Sequence, residues 1–235
     1  VRYYVAMTFP ETADSDFAWD GFLNRVNNEL LATWGNLANR MLSFAYKRFD
    51  GRVPAVAWDD LTAEDRAIIA QSEAAFEQIG GLLAAVKLRD ALQAGMALAK
   101  DANAYLDRRA PWKTIKDDPD DAARAVYAIL RVIDNLKILL APFLPFSSQK
   151  LHEFLGYDGR LFGELKIVEY AETTRRHEAL VYDGSAASGR WAPSALPPGQ
   201  PLREPQPLFV KLDPEIVEQE RAYLGAPREE RPVTV

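Results

Sequence analysis

LATWGNLANRMLSFAYKRF, residues Leu31–Phe49, carries apolar residues at helical spacing and ends at a stop signal, Asp50-Gly51 followed by Pro54. Placed on a helix at about 100° per residue, Arg40 lies about 40° from Asn36, Ser43 about −20° and Lys47 about 20°. Trp34, Met41 and Ala45 fall at roughly 140–180°, on the opposite side, flanked by Leu37 and Leu42. An amide and two cations therefore share one stripe that points away from a core. A polar stripe on a helix is ordinarily a solvated face. This one differs from the usual Glu/Lys mixture, because it holds donors and no acid. Asn and Arg are also the side chains that read base edges through paired hydrogen bonds.

Working outward, the same periodicity recurs in both directions. Asp14-Ser15-Asp16 is a helix-start signal before Phe17, and the pattern continues from there to Phe49. Leu61-Thr62-Ala63-Glu64-Asp65 reads as a capping start for a helix to about Ile79, with Gly80-Gly81 as a hinge. Leu82–Arg108 is strongly periodic and ends at Ala110-Pro111-Trp112. Asp117-Asp118-Pro119-Asp120-Asp121 opens a further helix to about Leu140, with acids and proline suited to a first turn. Ser147-Ser148 is read as the cap of a short helix ending at Gly156.

The expected fold class is therefore all-α. Residues 1–160 form an antiparallel bundle of four or five long helices. Residues 161–235 form an extended, partly β strap with a short terminal helix, Pro214–Leu224. Within it, Lys166–Tyr170 and Glu178–Tyr182 alternate like a small hairpin, and Pro193–Pro207 cannot hold a helix. Trp191, Leu196, Leu208 and Phe209 are the residues expected to pack the strap down.

Composition narrows the chemistry. A net charge of −6 argues against a protein that coats nucleic acid through a basic field, though not against a small local RNA site. Between Lys100 and Lys116 the balance turns positive, with Arg108, Arg109 and Lys113 around Trp112. A tryptophan after a proline at a helix end suits either a base-stacking platform or a plug for the helix junction. There are no cysteines, so disulfides and thiolate metal sites are excluded. No apolar run is long enough for a membrane span, and no secretory signal is visible. A cytoplasmic protein is expected. The two histidines, His152 and His177, read as structural and as part of a surface turn respectively. Pairs such as Asp59-Asp60 and Asp117-Asp118 read as helix starts rather than acid/base pairs. The chain starts with Val1 in an amphipathic segment, which favours a piece of a longer polypeptide.

Four stretches in this order, TWGNLANRMLSFAYKRFDGRVP, ANAYLDRRAPWK, LKILLAPFLPFSSQKLHEFLGYDG and PLFVKLD, closely resemble the C-terminal half of bacterial-type methionyl-tRNA synthetases. The resemblance runs from VRYY and DSDFAW to KLDPEIVEQE. It is weakest over Lys166–Gly189, which looks like a subgroup insertion. It implies a helical domain that follows a class I catalytic domain and reads the CAU anticodon. The family's Asn-x-x-x-Arg pair falls on Asn36 and Arg40. Its Ala-Pro-Trp falls on Ala110, Pro111 and Trp112, with Asn103 upstream. By resemblance Trp112 would stack under the wobble cytosine, Asn36 and Arg40 would hydrogen-bond anticodon bases, and Lys47 would add a basic contact. The implied partners are the anticodon loop of tRNA(Met) and the catalytic domain of the same polypeptide, with no DNA and no membrane. The family's ATP motifs, His-x-Gly-His and Lys-Met-Ser-Lys-Ser, do not occur here. No catalytic residue, metal ligand or cofactor is assigned to this chain; ATP and Mg²⁺ belong to the parent ligase. Three other readings remain open: a stand-alone RNA-binding module, the matching domain of a sister class I synthetase, and a helical protein-interaction domain with a buried Trp112.

Overall fold

A computed structural model of the chain describes residues 1–11 and 14–223. Helix α1 (Arg2–Met7) buries Tyr3, Tyr4 and Met7 against the bundle. The next rod is continuous but has three parts: α2 (Trp19–Asn24), a π-helical segment Arg25–Gly35, and α3 (Asn36–Arg48). It starts at Trp19, not directly after Asp16, because Phe17 packs edge-on against Tyr4 and Trp19 outside the helix. The π segment was not expected. The wheel anchored on Asn36 nevertheless holds, because α3 is regular α-helix and buries Leu37, Ala38, Met41, Leu42 and Ala45.

Helix α4 (Ala63–Ala84) begins with a reciprocal capping box. The Asp65 N–H donates to Thr62 Oγ1 at 3.2 Å, and the Thr62 N–H donates to Asp65 Oδ2 at 2.9 Å. Gly80-Gly81 is not a hinge. Helix α4 runs through both glycines, and the turn comes at Ala85–Lys87, where Val86 takes φ 58°. A Cβ on Gly80 would stand 3.0 Å from Trp191 Nε1, so this glycine makes room for the strap's indole.

Helix α5 (Leu88–Arg109) ends at Ala110, and α6 (Pro111–Thr114) is a single turn. Helix α7 (Pro119–Leu139) is capped by Asp118, whose side chain accepts from the Asp121 N–H at 2.9 Å. From Ala125 to Leu139 it is buried on nearly every side, as a central helix must be, and it packs against α3, α4, α5 and α8. Helix α8 (Pro145–Phe154) starts earlier than expected. Proline occupies its first turn, so Ser147 and Ser148 lie inside it, buried, and do not cap it. Ser147 Oγ donates instead to the Leu144 carbonyl at 3.1 Å.

Beyond α8 the chain forms an antiparallel hairpin, β1 (Glu164–Ala171) with β2 (Arg176–Asp183), pairing Ile167 with Leu180. His177 belongs to β2 rather than to a turn, and stacks on Tyr170. The strap then crosses the bundle. Leu196, Leu202 and Leu208 join the main core, and Phe209 packs against it. Trp191 remains 43% exposed but donates from Nε1 to the Phe76 carbonyl at 3.2 Å. Between these anchors the strap pairs by backbone with the loop after α3, through Val53 N–H to Gln200 O and Leu202 N–H to Gly51 O. A Cβ on Gly156 would meet Pro201 O at 1.8 Å, so only glycine fits under this crossing. Helix α9 (Glu215–Ala222) follows, and Leu224 lies outside the described residues. No helix among the described residues is long and apolar enough to cross a membrane.

Candidate RNA-binding site

Ala110 sits before a proline, which disfavours continuing an α-helix through it. It takes the left-handed conformation, φ 39° and ψ 57°, and turns the chain sharply off the end of α5. Pro111 is buried in the turn, and Trp112 is thrown outward, 37% exposed. The ring is not a plug.

The base of this turn is fixed by a buried charge cluster. Asp65 is fully buried. Its Oδ1 accepts from the Tyr105 hydroxyl at 2.6 Å, and Arg109 Nε lies 3.4 Å from the same oxygen. Arg109 Nη2 also reaches Asp121 Oδ1 at 2.7 Å. Burial opposes the charge on Arg109, but Asp65, Tyr105 and Asp121 outweigh it and hold its pKa above the ordinary value. The last turn of α5 is thus tied to the starts of α4 and α7. Arg109 is structural, not part of an exposed basic ring around Trp112. Arg108 pairs with Glu64 at 2.8 Å on the surface.

Helix α3 presents the stripe to the same region. Asn36, Arg40 and Lys47 are exposed, and Ser43 is half-buried. The Arg40 guanidinium carbon lies 4.9 Å from the centroid of the Trp112 ring. This is cation–π distance, worth about 0.5–1 kcal/mol at an exposed site. Trp112, Arg40, Ser43, Phe44, Lys47 and Arg48 border one open cleft of about 390 Å³. Among the described residues, neither Arg40 nor Lys47 is ion-paired. Their charge is available to an anion; Arg40 covers one face of the indole, and the exposed part of Trp112 is open to a flat partner.

Of the six residues singled out from sequence, Arg40, Lys47 and Trp112 meet at the cleft. Asn36 stands exposed one turn before Arg40, and Pro111 lies beneath as support. Asn103 is half-buried and turned inward: its Nδ2 donates to the Thr33 carbonyl at 3.1 Å and to the Ala99 carbonyl at 2.9 Å. Phe44 and Arg48 were missed. With Arg40 they form a row at four-residue spacing, the signal by which the flank of the stripe could have been read.

Fold and cleft together define a class of protein: a helical module that displays an aromatic ring beside free cations on its outer surface. Residues 53–171 match the family described as anticodon binding domain of methionyl tRNA ligase, and residues 1–42 match tRNA synthetases class I (M). A methionine–tRNA ligase of Thermomicrobium roseum is 48% identical over 228 residues, covering 96% of this chain and 38% of that protein. One from Chloroflexus aggregans is 48% identical over 225 residues, covering 95% and 37%. In three dimensions the chain resembles the apo methionyl-tRNA synthetase of Mycobacterium tuberculosis. The TM-score is 0.72 at 26% identity, covering 91% of this chain and 38% of that one. The same enzyme bound by methionyl-adenylate gives 0.70 at 26% identity, covering 89% and 37%. The chain belongs to the methionyl-tRNA ligase anticodon-binding family, and spans 38% of the length of the first of these curated relatives.

Proposed function

We propose that this chain reads the CAU anticodon of tRNA(Met) on behalf of a methionine–tRNA ligase. The observation that carries the reading is the approach of Arg40 to Trp112, 4.9 Å from guanidinium carbon to ring centroid, from elements far apart in sequence. A single-stranded anticodon can be splayed, stacked on an aromatic ring and hydrogen-bonded along its base edges. Trp112 supplies the stacking face, for the wobble cytosine. Asn36 and Arg40 supply base-edge donors, and Lys47 neutralises phosphate.

Stacking on an exposed ring is worth about 1–3 kcal/mol per base, and one paired base contact discriminates by about 1–3 kcal/mol. With a net charge of −6, counterion release adds little, so the base contacts carry most of the selectivity. The parent ligase consumes ATP, with Mg²⁺, to join methionine to tRNA. That chemistry belongs to a catalytic portion whose ATP motifs this sequence does not carry.

The test is titration of a CAU anticodon stem-loop and its single-base variants against the unmodified chain and three substituted forms. Trp112→Ala should weaken binding by about ten-fold or more, and Trp19→Ala should leave it nearly unchanged. Arg40→Ala should flatten the preference for CAU over the variants. Equal small losses from both tryptophan changes would overturn the stacking role. Weakened binding with preference intact would reassign Arg40 to phosphate. The 235-residue chain should show no methionine-dependent ATP–pyrophosphate exchange.

A further inference from the structure

The eleven-residue segment Arg25–Gly35 is wound as a π-helix. Such turns are rare, and a run of this length needs external support. Three contacts supply it. The side-chain amide of Asn27 pairs with the backbone of Leu212 in both directions. Its Nδ2 donates to the Leu212 carbonyl, and its Oδ1 accepts from the Leu212 N–H, each at 2.9 Å. Gly35 lies against the strap's Phe209, where a Cβ would stand 2.9 Å from the ring. Asn103 donates to the carbonyl of Thr33 from the side of α5.

The recognition stripe begins where this segment ends. The N–H of Asn36 still keeps the wide register, reaching the Leu31 carbonyl five residues back. A wide turn that closed as an ordinary α-turn would swing everything after it by about 100°, one residue's rotation. Arg40 would then leave the indole.

We propose that Asn103 is a positioning residue for anticodon recognition: by holding the Thr33 carbonyl it fixes the rotation that sets Arg40 over Trp112. The proposal rests on the anticodon reading above, and it changes the part expected of Asn103 there. Both N–H donors of its amide are spent on carbonyls, so it has only an acceptor oxygen left for a base. Asn27 and Gly35 hold the same segment from the strap side.

Asn103→Ser tests it. A serine hydroxyl can still bond the Ala99 carbonyl four residues back, but it is too short to span to Thr33. The first readout needs no RNA. In the unmodified protein, NMR should find the Arg40 side-chain protons displaced by the ring current of Trp112; in Asn103→Ser that displacement should shrink. The second readout is affinity for the CAU stem-loop, which should fall about five-fold. In an Arg40→Ala background the same substitution should cost less than it does alone, because only Asn36 and Lys47 are then left to be displaced. An unchanged ring-current displacement, or effects of Asn103→Ser and Arg40→Ala that simply add, would overturn the proposal. Gly35→Ala perturbs the segment independently, should shrink the displacement too, and serves if Asn103→Ser does not fold. A wild-type chain that binds no stem-loop would sink the anticodon reading alone. The NMR displacement would still decide whether Asn103 sets the rotation.

Discussion

Asp65 is a carboxylate with no access to water, and three groups answer it: the Thr62 N–H, the Tyr105 hydroxyl and the Arg109 guanidinium. A charge so placed is tolerated only while its partners remain. Burial and the Asp65 carboxylate both push the Tyr105 pKa upward, so its hydroxyl stays a donor throughout the usable pH range. Tyr105→Phe removes that donor and almost nothing else. It should cost about 1.5–3 kcal/mol, the range for a hydrogen bond to a charged group, read from urea unfolding. A loss near zero would mean that Arg109 and the Thr62 N–H satisfy Asp65 without it. At this scale the sequence was readable where partners are local. Thr62 and Asp65 sit three apart and announce a cap. It was silent where partners are remote: nothing near Arg109 in the chain says that its charge goes to Asp65 and Asp121, or that Arg40 keeps its own.

Elements were legible through period and punctuation, and misread where a residue type serves packing. Gly80-Gly81 reads as a break, yet α4 passes through both. The two glycines differ in surroundings: Gly80 faces Trp191, whereas nothing lies within 4 Å of a Cβ placed on Gly81. Gly81→Ala should therefore raise stability by about 0.5–1 kcal/mol, the ordinary gain inside a helix. Gly80→Ala should lose that gain to the displaced indole. Paired thermal melts would show this, and equal gains would mean that Trp191 yields freely. Ser147-Ser148 was misread for a related reason. Pro145 had already started the helix, and the serines are buried inside it, with Ser147 Oγ bonded back to the Leu144 carbonyl. The π segment left no signature in sequence, because its apolar spacing differs too little from that of an α-helix.

At the scale of the whole molecule, the strap closes on the bundle through a buried polar cluster between α7 and α8. Lys137 Nζ lies 2.5 Å from Asp134 Oδ1 and 3.3 Å from His152 Nδ1. Asp134 Oδ2 accepts from the hydroxyls of Tyr157 and Ser194, and His152 Nε2 faces Ser188 Oγ at 3.2 Å. A charged lysine has only donors, so Nδ1 must accept and the ring proton sits on Nε2. Burial, then the neighbouring Lys137 charge, pushes the His152 pKa below its ordinary 6.5, against weaker support from Asp158, Asp134 and Glu153. The sign follows. Below pH 6.5 the unfolded chain takes up a proton that the folded one resists, so stability is complete above 6.5 and falls as pH drops toward the depressed value. His152→Gln should remove that part of the acid slope, measured as unfolding free energy between pH 7 and about 5. An identical slope in both proteins would exclude His152 as its source. The strap's anchors, Leu196, Leu208 and Phe209, were legible as apolar residues in a segment unable to hold a helix. Its course, over Gly156 and back to Asn27, was not, because pairing between distant backbones leaves no local pattern.

The left-handed alanine before Pro111 has a cost of its own. A non-glycine residue in that conformation carries about 1–3 kcal/mol of strain, which glycine would largely relieve. Glycine would also let the peptide swivel. By keeping a methyl group at the bend, the chain accepts a less comfortable backbone and gains a stiff bracket; on the proposed reading the indole would meet its guest already aimed, and little order would have to be created when they join.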